Sequence, residues 1–167
     1  MSEATAERTV KDVLRKTFPN LEHDVDSFPV RSGEAPWILA EIEELAAGLL
    51  ADRDRLEREL AAADRDLSEL LRNSGDGAGD DQADYGSNAL EREHELTLVN
   101  NLRNLLEQTK HAIERIKAGT YATCEVSGAP IGKARLQAFP RATLSVEAKA
   151  REERRRSAHR ARTSGLG

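Results

Sequence analysis

Apolar positions recur at helical spacing through two long stretches of the chain. In the first, Ile42, Leu45, Leu49, Leu56, Leu60, Ala63, Leu67 and Leu70 advance by threes, fours and one seven, with a break near Asp52 and Arg53. In the second, Val99, Leu102, Leu106, Thr109, Ile113 and Ile116 step 3, 4, 3, 4, 3, a strict heptad seam. Both stretches are otherwise polar, so neither helix is stable alone in water and each needs a partner for its one apolar stripe. Between them, Gly75 to Ser87 holds four glycines and four aspartates. Glycine loses the most backbone freedom on ordering and so ends helices. The pattern predicts a mainly α protein built on a long antiparallel coiled-coil hairpin over residues 35–118, with an acidic tip at 75–87. The first helix is expected to open near Pro36, with Ser32 or Glu34 serving its cap and dipole. At a rise of 1.5 Å per residue, a helix of about 35 residues spans roughly 50 Å, so the hairpin is expected to be a narrow rod.

The flanks carry weaker patterns. Residues 1–34 read as a mobile arm, in which Val10, Val13, Leu14 and Phe18 suit a short amphipathic turn or two before the period is lost from Pro19 to Asp26. His23 lies beside Glu22, Asp24 and Asp26, but one histidine in an expected loop reads as solvated rather than as a metal ligand. His94 and His111 read as helix-surface residues without a special role.

Composition narrows the class. Charged residues make up 33% and aromatics 4%, with a mean hydropathy of -0.63, which suits extended helices better than one large core. The net charge of -5 is unevenly spread: from Lys149 onward seven Lys or Arg face two Glu, so the preceding residues carry -10. An acidic body argues against nonspecific DNA binding through that body. Residues 149–167 read as a basic C-terminal helix and tail. The run Arg154 to Arg156 reads as a solvated helix end suited to the dipole, with contact to nucleic acid or an acidic protein surface as the alternative. A single cysteine, Cys124, excludes an internal disulfide framework and fits a reducing cytoplasm. No signal peptide or apolar run of spanning length is seen, so a cytoplasmic monomer without membrane contact is expected. No nucleophile with a base, phosphate loop or metal cluster at recognisable spacing points to an enzyme.

At the tip, Asp76, Ala78 and Asp80 only faintly suit a calcium loop, because the bidentate Glu required at its twelfth position falls on Ser87. Asp81 and Asp84 lie three apart at the start of the second helix, on one face, where carboxylates also suit the positive end of the helix dipole.

Residues 119–148 begin Gly-Thr-Tyr-Ala-Thr-Cys-Glu-Val-Ser-Gly-Ala-Pro-Ile. This stretch resembles the DksA/TraR family of bacterial RNA polymerase regulators, in which a GTY-x-x-C-x-x-C-G-x-x-I segment and a later C-x-x-C hold a structural zinc. The resemblance runs from about Glu34 to Arg156, in the order helix, acidic tip, helix, knuckle and C-terminal helix. The family's tip signature, Asp-x-x-Asp-x-Ala, falls on Asp81, Asp84 and Gly86. The four zinc positions hold Cys124, Ser127, Ser145 and Ala148, so a degenerate zinc-finger-like knuckle without structural zinc is expected. Its folding would rest instead on Tyr121, Ile131, Leu136, Phe139, Leu144 and Val146, with Pro130 and Gly132 shaping the turn. Cys124 reads as a small buried residue, with no neighbouring cation in sequence to lower its pKa.

The resemblance implies direct binding to RNA polymerase, without sequence-specific DNA binding, and insertion of the tip through the secondary channel to modulate promoter open complexes. The implied effector residues are Asp81 and Asp84, with Gly86 and Ser87 beside them. Gly86 in place of alanine loosens the first helical turn by roughly a kcal/mol. Lys149 is kept, but Phe139 stands where the family often has Arg and Gln108 where it has Lys, which counts against binding of the alarmone ppGpp. The alternatives are a Gre-like transcript-cleavage factor, whose tip acids hold a second metal, and a coiled-coil scaffold without polymerase activity.

Overall fold

A computed structural model describes residues 2–75 and 82–165, with the side chains of 74, 75 and 82–85 outside that description. The elements are α1 (Glu3–Thr17), α2 (Leu21–Asp24) running into a 3-10 turn at Val25–Ser27, α3 (Leu39–Gly75), α4 (Gln82–Ala118), α5 (Lys133–Ala138) and α6 (Val146–Ser164). Among the described residues no strand forms beyond one isolated antiparallel bridge, Thr123 with Pro130. The chain divides into two compact units, one of residues 50–110 and one of residues 1–49 with 111–167.

Residues 50–110 are the heptad pairing made physical. Leu56 and Ala63 of α3 form one buried cluster with Val99, Leu102 and Leu106 of α4, flanked by Leu60, Leu67 and Leu105. Asp64 pairs with Arg103 at 3.2 Å and Glu57 with Lys110 at 4.0 Å. Seven residues back on one helix meet seven residues on along the other, which fixes the antiparallel direction and the register. Thr109 sits in the seam fully buried, its hydroxyl donating to the Leu105 carbonyl at 2.7 Å, so a polar side chain occupies a core position without an unmet donor.

The second unit is built around the first turns of α3 and the last turns of α4. Ile42, Ala46 and Leu49 are buried, as are Ala112, Ile113 and Ile116. The first helix opens three residues later than Pro36: Glu41 reaches back to accept from the Ile38 N–H at 3.0 Å, a cap supplied from inside the helix. At the other end, Gly119 at φ 76 lets its own N–H reach the Ile116 carbonyl and the Thr120 N–H reach the Arg115 carbonyl, closing α4 in a Schellman motif. A side chain at 119 would also meet the Asp24 carboxylate at 3.2 Å, so the backbone of this corner lies against α2.

The N-terminal segment departs from the expected mobile arm. It forms α1, α2 and the 3-10 turn, and it buries Leu14, Phe18, Leu21, Val25 and Phe28, each at most 6% exposed. These five advance by 4, 3, 4 and 3, so the helical period survives the break that Pro19 makes in the backbone. Burial of five large apolar side chains is what converts an arm into part of a core.

Leu56→Ala should destabilise the chain by about 2–5 kcal/mol, because it opens a cavity in the α3–α4 seam. Leu90→Ala, at a position 69% exposed, should change it by less than about 0.5 kcal/mol. Urea unfolding followed by circular dichroism checks both, and equal losses would contradict this placement of the core.

Candidate functional site

The tip falls only partly within the described residues. Asp81 lies outside them, as do Asp76, Ala78 and Asp80. Asp84 occupies the third position of α4 by its backbone, and its side chain lies outside the description. Gly86 and Ser87 are exposed on α4, and among the described residues a side chain added at Gly86, such as the alanine of the family signature, would meet nothing within 4 Å.

The knuckle is fully described. Residues 122–131 fold back on themselves: the Cys124 N–H donates to the Ala129 carbonyl at 2.8 Å and the Ile131 N–H to the Ala122 carbonyl at 2.9 Å. The Glu125 N–H donates to the Thr143 carbonyl at 2.9 Å, which joins this half of the knuckle to the stretch before α6. Tyr121, Ile131 and Leu136 have no exposed surface, and the Tyr121 hydroxyl donates to the Pro140 carbonyl at 2.7 Å. Burial pushes the Tyr121 phenol up, well clear of the physiological range. Two residues expected in this core are outside it: Phe139 is 62% exposed and Val146 51%, while Leu144 is half-buried. Phe139 instead offers its ring to the Arg135 guanidinium, 5.8 Å from the centroid.

The four positions that match the family's zinc ligands make other contacts here. Ser145 is the N-cap of α6, its hydroxyl accepting from the Ala148 N–H at 3.2 Å. Ser127 accepts from the Ala129 N–H at 3.3 Å, and Ala148 is a buried methyl group. One thiolate, two hydroxyls already used by the backbone and a methyl do not make a tetrahedral zinc site, and the donor set does not fit the metal. The donors around Cys124 favour its thiolate form. Burial, at 1% exposure, pushes the thiol up, but the Ser127 side chain and the backbone N–H groups of Ser127, Ser145 and Val126 outweigh it and bring the pKa down to about 6. No neighbouring cation signals this in the sequence, because the donors are the Ser127 side chain and backbone amides.

Four side chains whose roles here the sequence did not show hold the knuckle. Arg115, 5% exposed in the last turn of α4, donates through one guanidinium nitrogen to the carbonyls of both Thr120 and Thr123. Its Nε lies 3.4 Å from Glu125, which also pairs with His111, so that histidine does have a partner. Burial lowers the Arg115 pKa from its usual value, and Glu125 opposes the shift. Glu34 caps a helix other than the one expected: its carboxylate accepts from the N–H groups of Lys133 at 2.8 Å and Ala134 at 3.2 Å, at the start of α5, and from the Arg31 N–H at 2.9 Å. Arg31 in turn forks onto Glu147 of α6, with a closest approach of 2.6 Å. Lys133 reaches Glu41 at 2.8 Å and lies 5.4 Å from the centroid of the buried Trp37 ring.

Comparison with known proteins bears on the same segments. Residues 119–154 match the prokaryotic dksA/traR C4-type zinc finger family. The chain is 45% identical over 80 residues to the RNA polymerase-binding transcription factor DksA of Caulobacter vibrioides, a match covering 48% of this chain and 56% of that protein. It is 32% identical over 98 residues to general stress protein 16O of Bacillus subtilis, covering 57% and 60% respectively. The chain thus spans little more than half the length of these two relatives. Among solved structures it is similar to transcription factor DksA2 from Pseudomonas aeruginosa, with a TM-score of 0.58 and 32% identity, over 71% of this chain and 87% of that one.

The pH dependence of stability tests the Glu34 cap. Partial burial resists ionisation of Glu34, but the three N–H donors and Lys133 outweigh it and hold its pKa below the ordinary 4.5. A lowered pKa contributes stability that is full above the unfolded value and is lost as pH falls through the folded one. Glu34→Ala should therefore be less stable than wild type by about 1–3 kcal/mol near neutrality, and the gap should narrow as pH falls below about 4.5. Urea unfolding across that range measures it, and a gap that stays constant or widens would contradict the assignment.

Proposed function

The chain belongs to the DksA/TraR family, and from that premise we propose that it is a cytoplasmic, non-enzymatic transcription regulator that binds RNA polymerase directly. On this reading the α3–α4 hairpin carries the acidic tip into the secondary channel, and the tip carboxylates, Asp81 and Asp84 with Gly86 and Ser87 beside them, modulate promoter open complexes. The observation that supports it most is the antiparallel α3–α4 pairing, whose register returns the chain on itself across a segment holding four aspartates. Carboxylates concentrated at the turn of a helix pair are suited to perturb a basic or metal-bearing centre. Nothing in this action requires reading DNA sequence. Phe139 and Gln108 stand where the family has cations, which counts against ppGpp binding, although Lys149 is kept. The match to the zinc-finger family at 119–154 favours this reading over a Gre-like cleavage factor.

Binding to core polymerase and single-round transcription, measured for wild type and for Asp81→Asn with Asp84→Asn, test the proposal. Both proteins should bind, and only wild type should change promoter output. A scaffold without polymerase activity would bind in neither form, and a double variant as active as wild type would remove the tip carboxylates from the mechanism.

We further propose that the knuckle folds without structural zinc. The support is the chemistry of the four positions: Ser145 and Ser127 already accept backbone N–H groups and Ala148 offers no donor. Elemental analysis of protein purified without chelator should find far less than one zinc per chain. Tightly held stoichiometric zinc would overturn the proposal.

A further inference from the structure

The charge of α6 exceeds what a helix terminus requires. A C-terminal dipole acts over the last turn only, and of the basic residues in α6 only Arg162 lies there. Five arginines fall between 154 and 162 with no acid among them, and every residue from 153 to 165 is exposed. At 3.6 residues per turn, Arg151, Arg154, Arg155 and Arg162 fall within one arc of about 100°, along roughly 16 Å of helix. Arg156 lies off this face and pairs with Glu152 at 2.7 Å. Arg154, Arg155 and Arg162 make no ion pair among the described residues. Glu147 lies on the same face beside Arg151 but is already forked by Arg31, whereas Arg154, Arg155 and Arg162 have no acidic partner among the described residues. Such a row of guanidinium groups is unfavourable for the free helix and favours an anionic partner.

The composition of the face selects that partner. After Val146 at its first position, the largest apolar side chain of α6 is alanine, so the Arg151–Arg162 stretch lacks the aromatic or aliphatic anchors on which protein interfaces rely. The same absence removes the apolar face that an interfacial membrane helix buries. It has no Phe, Tyr or Trp on which single-stranded bases could stack. Six of its seven cationic residues are arginine, whose planar fork matches phosphate oxygens. We propose that the Arg151–Arg162 face of α6 docks on the phosphate backbone of duplex DNA without regard to sequence. The proposal goes beyond polymerase binding and does not depend on it.

Fluorescence anisotropy of the full chain with a labelled random duplex of about 20 base pairs, from about 25 to 200 mM KCl and with no polymerase present, tests it. Wild type should bind, with log affinity falling against log salt at a slope of about -3 to -4, as expected for about four phosphate contacts. The triple variant Arg154→Gln, Arg155→Gln, Arg162→Gln should bind about tenfold or more weakly, with the slope reduced by about two to three. Arg8→Gln with Arg15→Gln, on the exposed surface of α1, should match wild type, and circular dichroism should show unchanged helicity in both variants. Three results would overturn the proposal: no binding by wild type at the lowest salt, a triple variant equal to wild type, or tighter binding to a single strand of the same length. Loss of polymerase binding by the triple variant, with no DNA binding by wild type, would assign the face to an acidic protein surface instead.

Discussion

The knuckle depends on one buried cation. Arg115 belongs to α4 by sequence, yet its guanidinium serves the loop beyond the helix, donating to the Thr120 and Thr123 carbonyls while Glu125 lies beside it. A charge taken out of water needs partners for its donors and a counter-ion nearby, and this loop conformation supplies two carbonyls for Nη2 and Glu125 beside Nε. One nitrogen of the guanidinium, Nη1, has no partner, so the remaining bonds matter the more. Neutral replacements at 115 would free the two carbonyls that fix the path from Gly119 into the knuckle.

From that point the knuckle is tied in at several places by groups far away in sequence. Glu34 caps α5, Arg31 holds the first turn of α6 through Glu147, and Lys133 closes onto Glu41 over the Trp37 ring. Gly132 makes one of these approaches possible: at φ 103, a side chain there would come within 2.7 Å of the Arg31 side chain. Four metal ligands converging on one ion need no such help from the rest of the chain. Here the crosslinks are made of carboxylates, guanidinium groups and a buried apolar core of Tyr121, Ile131 and Leu136. The pocket sets the Ser127 side chain and an array of amide donors around Cys124, while the Ser145 hydroxyl caps α6.

The hairpin was legible because its signal is periodic and local. All six positions of the second seam, Val99 to Ile116, are buried, and the polar Thr109 among them was readable from its register alone. The N-terminal helices were less legible because Pro19 interrupts the backbone while the apolar spacing from Leu14 to Phe28 continues across it. Phe139 was misplaced because hydrophobicity says that a ring prefers burial and not which ring the core can hold; Arg135 covers it at the surface instead. Arg115 carried no distinguishing pattern, since a charged residue in a helix end is ordinarily solvated, and Glu34 was assigned to the helix nearest in sequence rather than to α5. Their roles come from contacts between residues as many as 100 positions apart.

If protein contacts rather than a metal hold the knuckle, its amides must be protected in a chelator. Native-state hydrogen exchange of Cys124, Glu125 and Ile131, whose N–H groups bond to Ala129, Thr143 and Ala122, measures this against Ile113 and Ile116 of α4. The account predicts that the two sets exchange with similar protection, unchanged by chelator or added zinc. Knuckle amides that exchange as fast as free peptide until zinc is added would contradict it.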